Sequence, residues 1–378
     1  MQSPSLQSDV AYLRSLGATF SPFFARELIA WVVECLPDSA LPALDVIAAT
    51  VLKPHFDDSA VQRTKDDVAL QIEDYRNAPD QFMPEMLHSI AFESSLAGSA
   101  QGGLGRPLLC STRELQKVSG ASVEAFLRSR LVGKNVAIIG SGVDHYTLRR
   151  RAEELFGHLP AGGAQVQAPS VYRGGWKTLE STAEDADLTH VALGFEGARV
   201  GSPESYVAAV LQLLLGGGNS FSTGGPGKGM YSMLYRNVLA QYGEVKTCVA
   251  FNHMYRDSGL FGIFTSATGA NAEQLTGVAL RELELVAKGV SDEALSRAKN
   301  QLKGQVLMGL ESRLVQFEDM ARQMIVSGAY VAADDVVSHI DRITAKDLAA
   351  FVRKALPQPS FLAFGPKKSI ESMERARL

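Results

Sequence analysis

The chain repeats itself, and that repeat sets what it can fold into. "LQKVSGASVEAFLRSRLVGKNVAIIG" (residues 115–140) aligns without a gap on "IDRITAKDLAAFVRKALPQPSFLAFG" (residues 340–365), 225 positions later. Five pairs are identical: Ala125 and Ala350, Phe126 and Phe351, Arg128 and Arg353, Leu131 and Leu356, Gly140 and Gly365. Each copy reads as a helix opened by an N-cap, Ser119 or Thr344, the second with Asp347 three residues on as a capping box. Each helix then gives way to a short apolar strand ending at the glycine. Two further blocks match in the same order. "FDDSAVQRTKDDVALQIEDYR" from Phe56 pairs with "VSDEALSRAKNQLKGQVLMGL" from Val290 at an offset of 234, and "VAYLRSLG" ending at Gly17 pairs with "NVLAQYG" ending at Gly243 at 226. The longer offset fits an insertion in the first half, within the Gly/Ser/Ala-rich residues 93–105.

Preserved order across three blocks indicates a duplication into two homologous α+β domains. We expect an N-terminal domain over residues 1–160, a Pro/Gly/Ala-rich linker over 161–184 and a C-terminal domain over 185–378. The second copy opens with a strand, "LTHVALGFEG". A helix follows, with Ser202 as N-cap, Pro203 in its first turn and Val207, Val210, Leu211 and Leu214 on one face. Subtracting the offset places the counterparts of that strand and helix before residue 1, so the first domain is expected to be truncated at its start.

Between two helical stretches of the second copy lies "GGGNSFSTGGPGKGMYSMLY", residues 216–235. It is not a phosphate cradle. A P-loop needs Gly-x-x-x-x-Gly-Lys-[Ser/Thr] after a strand; here Ser222 stands at the first glycine position and Gly229 follows Lys228. The segment reads as a long inter-helical loop, and so many glycines carry an entropic cost that asks for a reason. It is either a spacer or a segment that contacts an extended ligand.

Composition narrows the classes. The chain has 378 residues, 46% hydrophobic and 21% charged, with a formal net charge of −4. That is a globular composition without the basic excess of a nucleic-acid binder. No apolar run approaches the roughly 18–20 residues that span a bilayer. Cys35, Cys110 and Cys248 are too few and too scattered for a disulfide framework or a zinc knuckle, and read as small core residues. The first residues carry neither a secretory signal nor an arginine-rich transit peptide. Asp57–Asp58 and Asp66–Asp67 read as helix-start acids, and "RRRAEE" (149–154) as a solvated, paired helix face.

The glycine segment, "HMYRDSGLFGIFTSA" from His253, "PEMLHSIAF" from Pro84 and "LGRPLLC" from Leu104 together resemble one family. It is the non-catalytic branch of the pitrilysin-like M16 metallopeptidase superfamily: α subunits of the mitochondrial processing peptidase and the similar core protein 2 of the cytochrome bc1 complex. The resemblance covers essentially the whole chain. It implies two domains of the LuxS/MPP-like metallohydrolase type, each a mixed, mostly antiparallel sheet with helices packed on it. It implies a presequence-binding segment made of Gly216, Gly217, Gly218, Phe221, Gly224, Gly225, Pro226, Gly227, Lys228 and Gly229. Implied partners are a zinc-bearing β subunit or core protein 1, the complex III subunits cytochrome b, cytochrome c1 and the Rieske protein, and presequence peptides. The implied location is the matrix side of the mitochondrial inner membrane, held peripherally. A purely structural core protein is the alternative.

The catalytic members carry His-x-x-Glu-His plus a distal glutamate around Zn²⁺. This chain's seven histidines (positions 55, 88, 145, 158, 190, 253 and 339) include no two within five residues. In the catalytic relatives the distal glutamate stands seven residues before the histidine of a Leu-His pair. Here that pair is Leu87–His88 and the seventh residue back is Gln81, a poor substitute for a carboxylate. We therefore expect no metal on this chain, and His88 in a structural contact.

Overall fold

The computed structural model describes residues 4–93, 103–162, 169–181, 187–219, 230–269 and 272–376. They form two compact units, one of residues 1–77 with 108–166 and the other of 78–107 with 167–378. This grouping differs from a cut at residue 160, because residues 78–107 pack with the second half. The expected linker, 161–184, also contributes a strand.

In the first unit, α1 (Pro4–Ser15) leads into an antiparallel hairpin of β1 (Thr19–Phe24) and β2 (Ile29–Glu34), with Phe20 opposite Val33. Helices α2 (Ala40–Leu52) and α3 (Asp58–Arg76) follow. Asp57 caps α3 by accepting the Ala60 amide at 2.9 Å, and its carboxyl is held below the ordinary carboxylate range by Ser59 and that amide. Leu13, Ala18, Ala43 and Val46 form a small core with Phe20, Val33 and Cys35. The next helix, α4 (Pro79–Ala91), belongs to the second unit. The first unit resumes with α5 (Thr112–Lys117), α6 (Gly120–Arg130) and α7 (His145–Phe156). Ser119 caps α6 in a reciprocal box with Ser122. The arginine-rich face of α7 is paired as expected: Arg149 with Glu153 at 2.8 Å, and Arg151 with Asp45 at 2.7 Å and Glu154 at 2.8 Å.

One expected strand is absent. Residues 136–140 have no strand neighbour among the described residues. A lone apolar run cannot satisfy its backbone groups as a strand. Its repeat partner, by contrast, pairs with a strand on either side.

The second unit is built on a six-stranded sheet in the order β3-β8-β4-β7-β6-β5. Its elements are β3 (Gly175–Glu180), β4 (Leu188–Glu196), α8 (Pro203–Leu215), β5 (Gly217–Asn219), β6 (Val245–Met254), β7 (Gly259–Thr268), α9 (Ala272–Lys288), α10 (Asp292–Gly309), α11 (Arg313–Ser327), α12 (Ala333–Arg342), α13 (Ala345–Ala355), β8 (Ser360–Gly365) and α14 (Lys367–Ala376). Only β3 and β8 run parallel; every other pair is antiparallel. The period of two divides each central strand between two cores. Val191, Leu193, Phe195, Phe261, Ile263, Phe361 and Ala363 face the layer of α8, α9, α10 and α13. The alternating Ala192, Leu260, Phe264 and Leu362 face the other way, where Met83, Leu87 and Ala91 of α4 cover them. Helix α4 therefore closes the second face of this sheet.

The repeat is preserved in the positions of its helices. α6 and α13 begin and end 225 positions apart, and α10 begins 234 positions after α3. Thr344 and Asp347 form the expected capping box of α13.

A glycine-built neck and candidate peptide-binding segment

Ser202 and Pro203 start α8 as the sequence indicates, although the Ser202 hydroxyl donates to the Arg199 carbonyl at 2.9 Å rather than capping an amide. The helix buries Ala208, Val210, Leu211, Leu214 and Leu215, and stops at Gly216, whose φ of +58° is in the left-handed region. The Gly216 amide donates to the Gln212 carbonyl at 2.7 Å, and its own carbonyl accepts from Ala250 at 2.9 Å. The chain is thus delivered onto the free edge of β6.

The glycine segment does not begin as a loop. Gly217, Gly218 and Asn219 form β5, paired with Val249, Cys248 and Thr247. At Gly217 φ is +91°, and a Cβ there would lie 1.9 Å from the Cys248 carbonyl oxygen. At Gly216 a Cβ would lie 2.4 Å from the Ser232 Cβ. These two positions require glycine for close packing, a reason independent of any ligand. The sequence reading assigned Gly216, Gly217 and Gly218 to the loop; the structure makes them its sheet-bound root. Phe221, Gly224, Gly225, Pro226, Gly227, Lys228 and Gly229 lie outside the described residues.

The chain returns at Met230 and Tyr231, 41% and 74% exposed, with the Arg297 guanidinium 5.7 Å from the Tyr231 ring centre. Ser232 then turns inward, and its Oγ accepts the Gly217 amide at 3.0 Å. Leu234 and Val238 are fully buried, and residues Tyr235–Leu239 form a π-helical turn. On that turn Asn237 donates to the buried Glu282 carboxylate at 2.8 Å. Burial pushes the Glu282 carboxyl up, against the opposing effects of Asn237 and Arg281. An open cavity of about 550 Å³ lies beside it, lined by Asn237, Gln241, Tyr242, Arg281, Glu282 and Leu285. Sequence reasoning missed Ser232, Asn237 and Glu282. A serine and an asparagine carry no periodic signal, and Glu282 reads as one charge among several on α9.

A zinc centre does not fit the described residues. His88 is 3% exposed on α4, and both ring nitrogens are engaged: Nδ1 donates to the Pro84 carbonyl at 2.6 Å, and Nε2 accepts from the Tyr255 hydroxyl at 2.7 Å. His253 packs beside it, ring centres 5.4 Å apart. This is the structural contact expected for His88. Among the described residues no three His, Cys, Asp or Glu side chains converge as a metal site.

Comparison with known proteins agrees with this architecture. Residues 117–302 match the family described as "Peptidase M16 inactive domain", and residues 2–102 match "Insulinase (Peptidase family M16)". The probable mitochondrial-processing peptidase subunit alpha of Schizosaccharomyces pombe is 34% identical over 354 residues, covering 92% of this chain and 69% of the relative. The chain belongs to the M16 family, among the mitochondrial-processing peptidase α subunits. The probable alpha-1 subunit of Arabidopsis thaliana is 33% identical across 97% of the chain and 71% of its own length. The human α subunit is 29% identical across 87% and 65%. A chain of Complex III2 from Candida albicans, Inz-5 bound, superposes with a TM-score of 0.78 at 18% identity, covering 92% of this chain and 82% of that one. The fold is therefore that of two M16 domains, mixed sheets packed by helices, and the second half is of the inactive M16 type.

Proposed function

We propose that this chain is the presequence-recognising, non-catalytic α subunit of a mitochondrial processing peptidase, housed as a core subunit of respiratory complex III. The observation that carries the reading is the 34% identity to a processing-peptidase α subunit over 92% of the chain. A zinc-bearing β subunit, core protein 1 in the assembled complex, supplies the metal and the water-activating carboxylate. This chain supplies the hold on a basic, amphipathic presequence. Its binding segment runs through Gly216, Gly217, Gly218, Phe221, Gly224, Gly225, Pro226, Gly227, Lys228 and Gly229. Phe221 offers apolar contact, Lys228 a donor for peptide carbonyls, and the glycines close backbone approach. The acidic net charge favours encounter with a cationic peptide.

The location that goes with this role is the matrix side of the inner membrane, alongside cytochrome b, cytochrome c1 and the Rieske protein. Among the described residues no helix is long and apolar enough to cross a membrane. A second reading, a purely structural core protein 2, draws on the likeness to a chain of Complex III2. One experiment separates them: isolate the native complex from mitochondria and assay chelator-sensitive cleavage of a presequence peptide. Co-purification with cytochromes b and c1 plus cleavage supports the proposal. The same cytochromes without cleavage favour the scaffold, and a soluble active heterodimer removes complex III from the reading.

A further inference from the structure

Glu282 is an acid that the fold buries without a counter-ion. It lies on α9, 3% exposed, and its Oε2 accepts the Asn237 amide at 2.8 Å, its one hydrogen bond among the described residues. Arg281, next in the chain, has its guanidinium 3.5 Å from the Tyr242 hydroxyl and makes no ion pair with Glu282 among the described residues. A buried carboxylate is costly unless it is paired. On its open side this one lines the cavity of about 550 Å³, with Asn237, Gln241, Tyr242, Arg281 and Leu285. All of these residues belong to the second unit.

The cavity presents acceptors. Asn237 spends its amide N–H on Glu282, and Gln241 spends its own on the Arg236 carbonyl at 3.4 Å, which leaves both side-chain carbonyl oxygens open. The second Glu282 oxygen and the Tyr242 hydroxyl add to them. Asn237 reaches Glu282 from the π-helical turn Tyr235–Leu239, a rare backbone form that recurs at functional sites. Leu285, three residues on from Glu282 along α9, gives the cavity an apolar side.

We propose that this cavity receives the guanidinium of an arginine side chain on a bound peptide, with Glu282 as its counter-ion. This deepens the proposed function and rests on it. A planar fork of five donors suits several acceptors spread over one floor, where an ammonium is a compact point charge. The methylenes of the arginine would lie along Leu285. Arg281 opposes the incoming charge, but it is exposed and acts through screening solvent, whereas contact with buried Glu282 is little screened. The contact wins.

The test uses the chain co-assembled with its catalytic partner subunit, with chelator present so that cleavage is blocked. Anisotropy reads the affinity of a labelled presequence peptide containing arginines, and of the same peptide with citrulline, the uncharged near-isostere, at each arginine. Glu282→Gln keeps the shape and removes the charge. Gln241→Lys leaves Glu282 in place and sets a competing ammonium in the cavity. Glu284→Gln, exposed on the same helix, removes one charge outside it. The two cavity variants should each weaken the arginine peptide about five- to thirtyfold, and Glu284→Gln less than about twofold. The citrulline peptide should bind wild type at the weakened level and respond to neither cavity variant. Should Glu282→Gln fail to assemble, Gln241→Lys, at an exposed position, carries the same comparison. Equal losses from Glu282→Gln and Glu284→Gln would reduce the effect to a diffuse field and remove the site. An arginine preference that survives both cavity variants would place the cation elsewhere and sink the inference, while the peptide-binding reading stands. Equal binding of the arginine and citrulline peptides would likewise end arginine recognition here. If neither peptide binds wild type, the proposed function itself fails.

Discussion

At Gly217 the backbone carries two constraints that no side chain satisfies together, a φ of +91° and a carbonyl oxygen 1.9 Å from where a Cβ would sit. Gly217→Ala should therefore lower the unfolding free energy by about 2–4 kcal/mol, read by urea denaturation, whereas Gly243→Ala, whose Cβ would meet nothing within 4 Å, should change it far less. The sequence shows a run of glycines but cannot rank them, because the clash is with Cys248, a residue 31 positions away. His190 is a second case set by its surroundings. It lies between Phe264 and Phe364 on β4, its buried Nδ1 has no partner, and burial lowers its pKa to about 4 despite the Asp80 carboxylate. Below pH 6.5 the unfolded chain takes up a proton that the folded one refuses, so stability falls as pH drops from 6.5 toward 4. His190→Phe should remove that acid-side loss, on the order of 1–3 kcal/mol in chemical denaturation at pH 4.5 relative to pH 7.5. Periodicity in "LTHVALGF" places His190 on a strand, but not between two phenylalanines from β7 and β8.

Helices were the legible elements, because their caps and stripes are local. Ser119, Thr344 with Asp347, Asp57 and Ser291 all cap where the repeat puts them. Thr344→Ala removes one side of a closed box and should reduce stability by about 1–2 kcal/mol, with Asp347→Ala close behind and the double variant less than the sum. Hydrogen exchange across residues 345–350 would show it as faster opening of the first turn of α13. Strands were less legible, because a strand exists only with a neighbour. Residues 360–365 became β8 between β3 and β4, while 136–140, the repeat partner of 361–365, has the same apolar character and no ladder among the described residues. Helix α4 teaches the same lesson. Its stripe of Met83, Leu87 and Ala91 is plain in the sequence, but the sheet it covers lies in the other half of the chain. Long-range pairing is invisible to local pattern, and that is why a boundary drawn at residue 160 separates α4 from the core it completes.

At the scale of the whole chain, family membership and chemistry part company: the fold is that of a metallopeptidase, and among the described residues no group of three metal donors converges. His88, which the family resemblance aligns with the Leu-His pair of the catalytic subunits, spends both ring nitrogens on Pro84 and Tyr255. By the same resemblance the distal position falls on Gln81, an amide, and the described residues hold no converging group of three ligands. A zinc site needs three such donors and a free coordination position at once, so restoring one donor gives nothing to bind. The isolated chain should therefore carry well under about 0.1 zinc per molecule by elemental analysis after dialysis, and Gln81→Glu should leave that value unchanged. The assembled heterodimer should carry about one zinc per pair, lost to chelator together with peptide cleavage, while the α chain keeps its fold and its peptide affinity. A stoichiometric metal on the isolated chain would mean that ligands from outside the described residues complete a site of its own, and the division of labour between a binding and a cutting subunit would have to be abandoned.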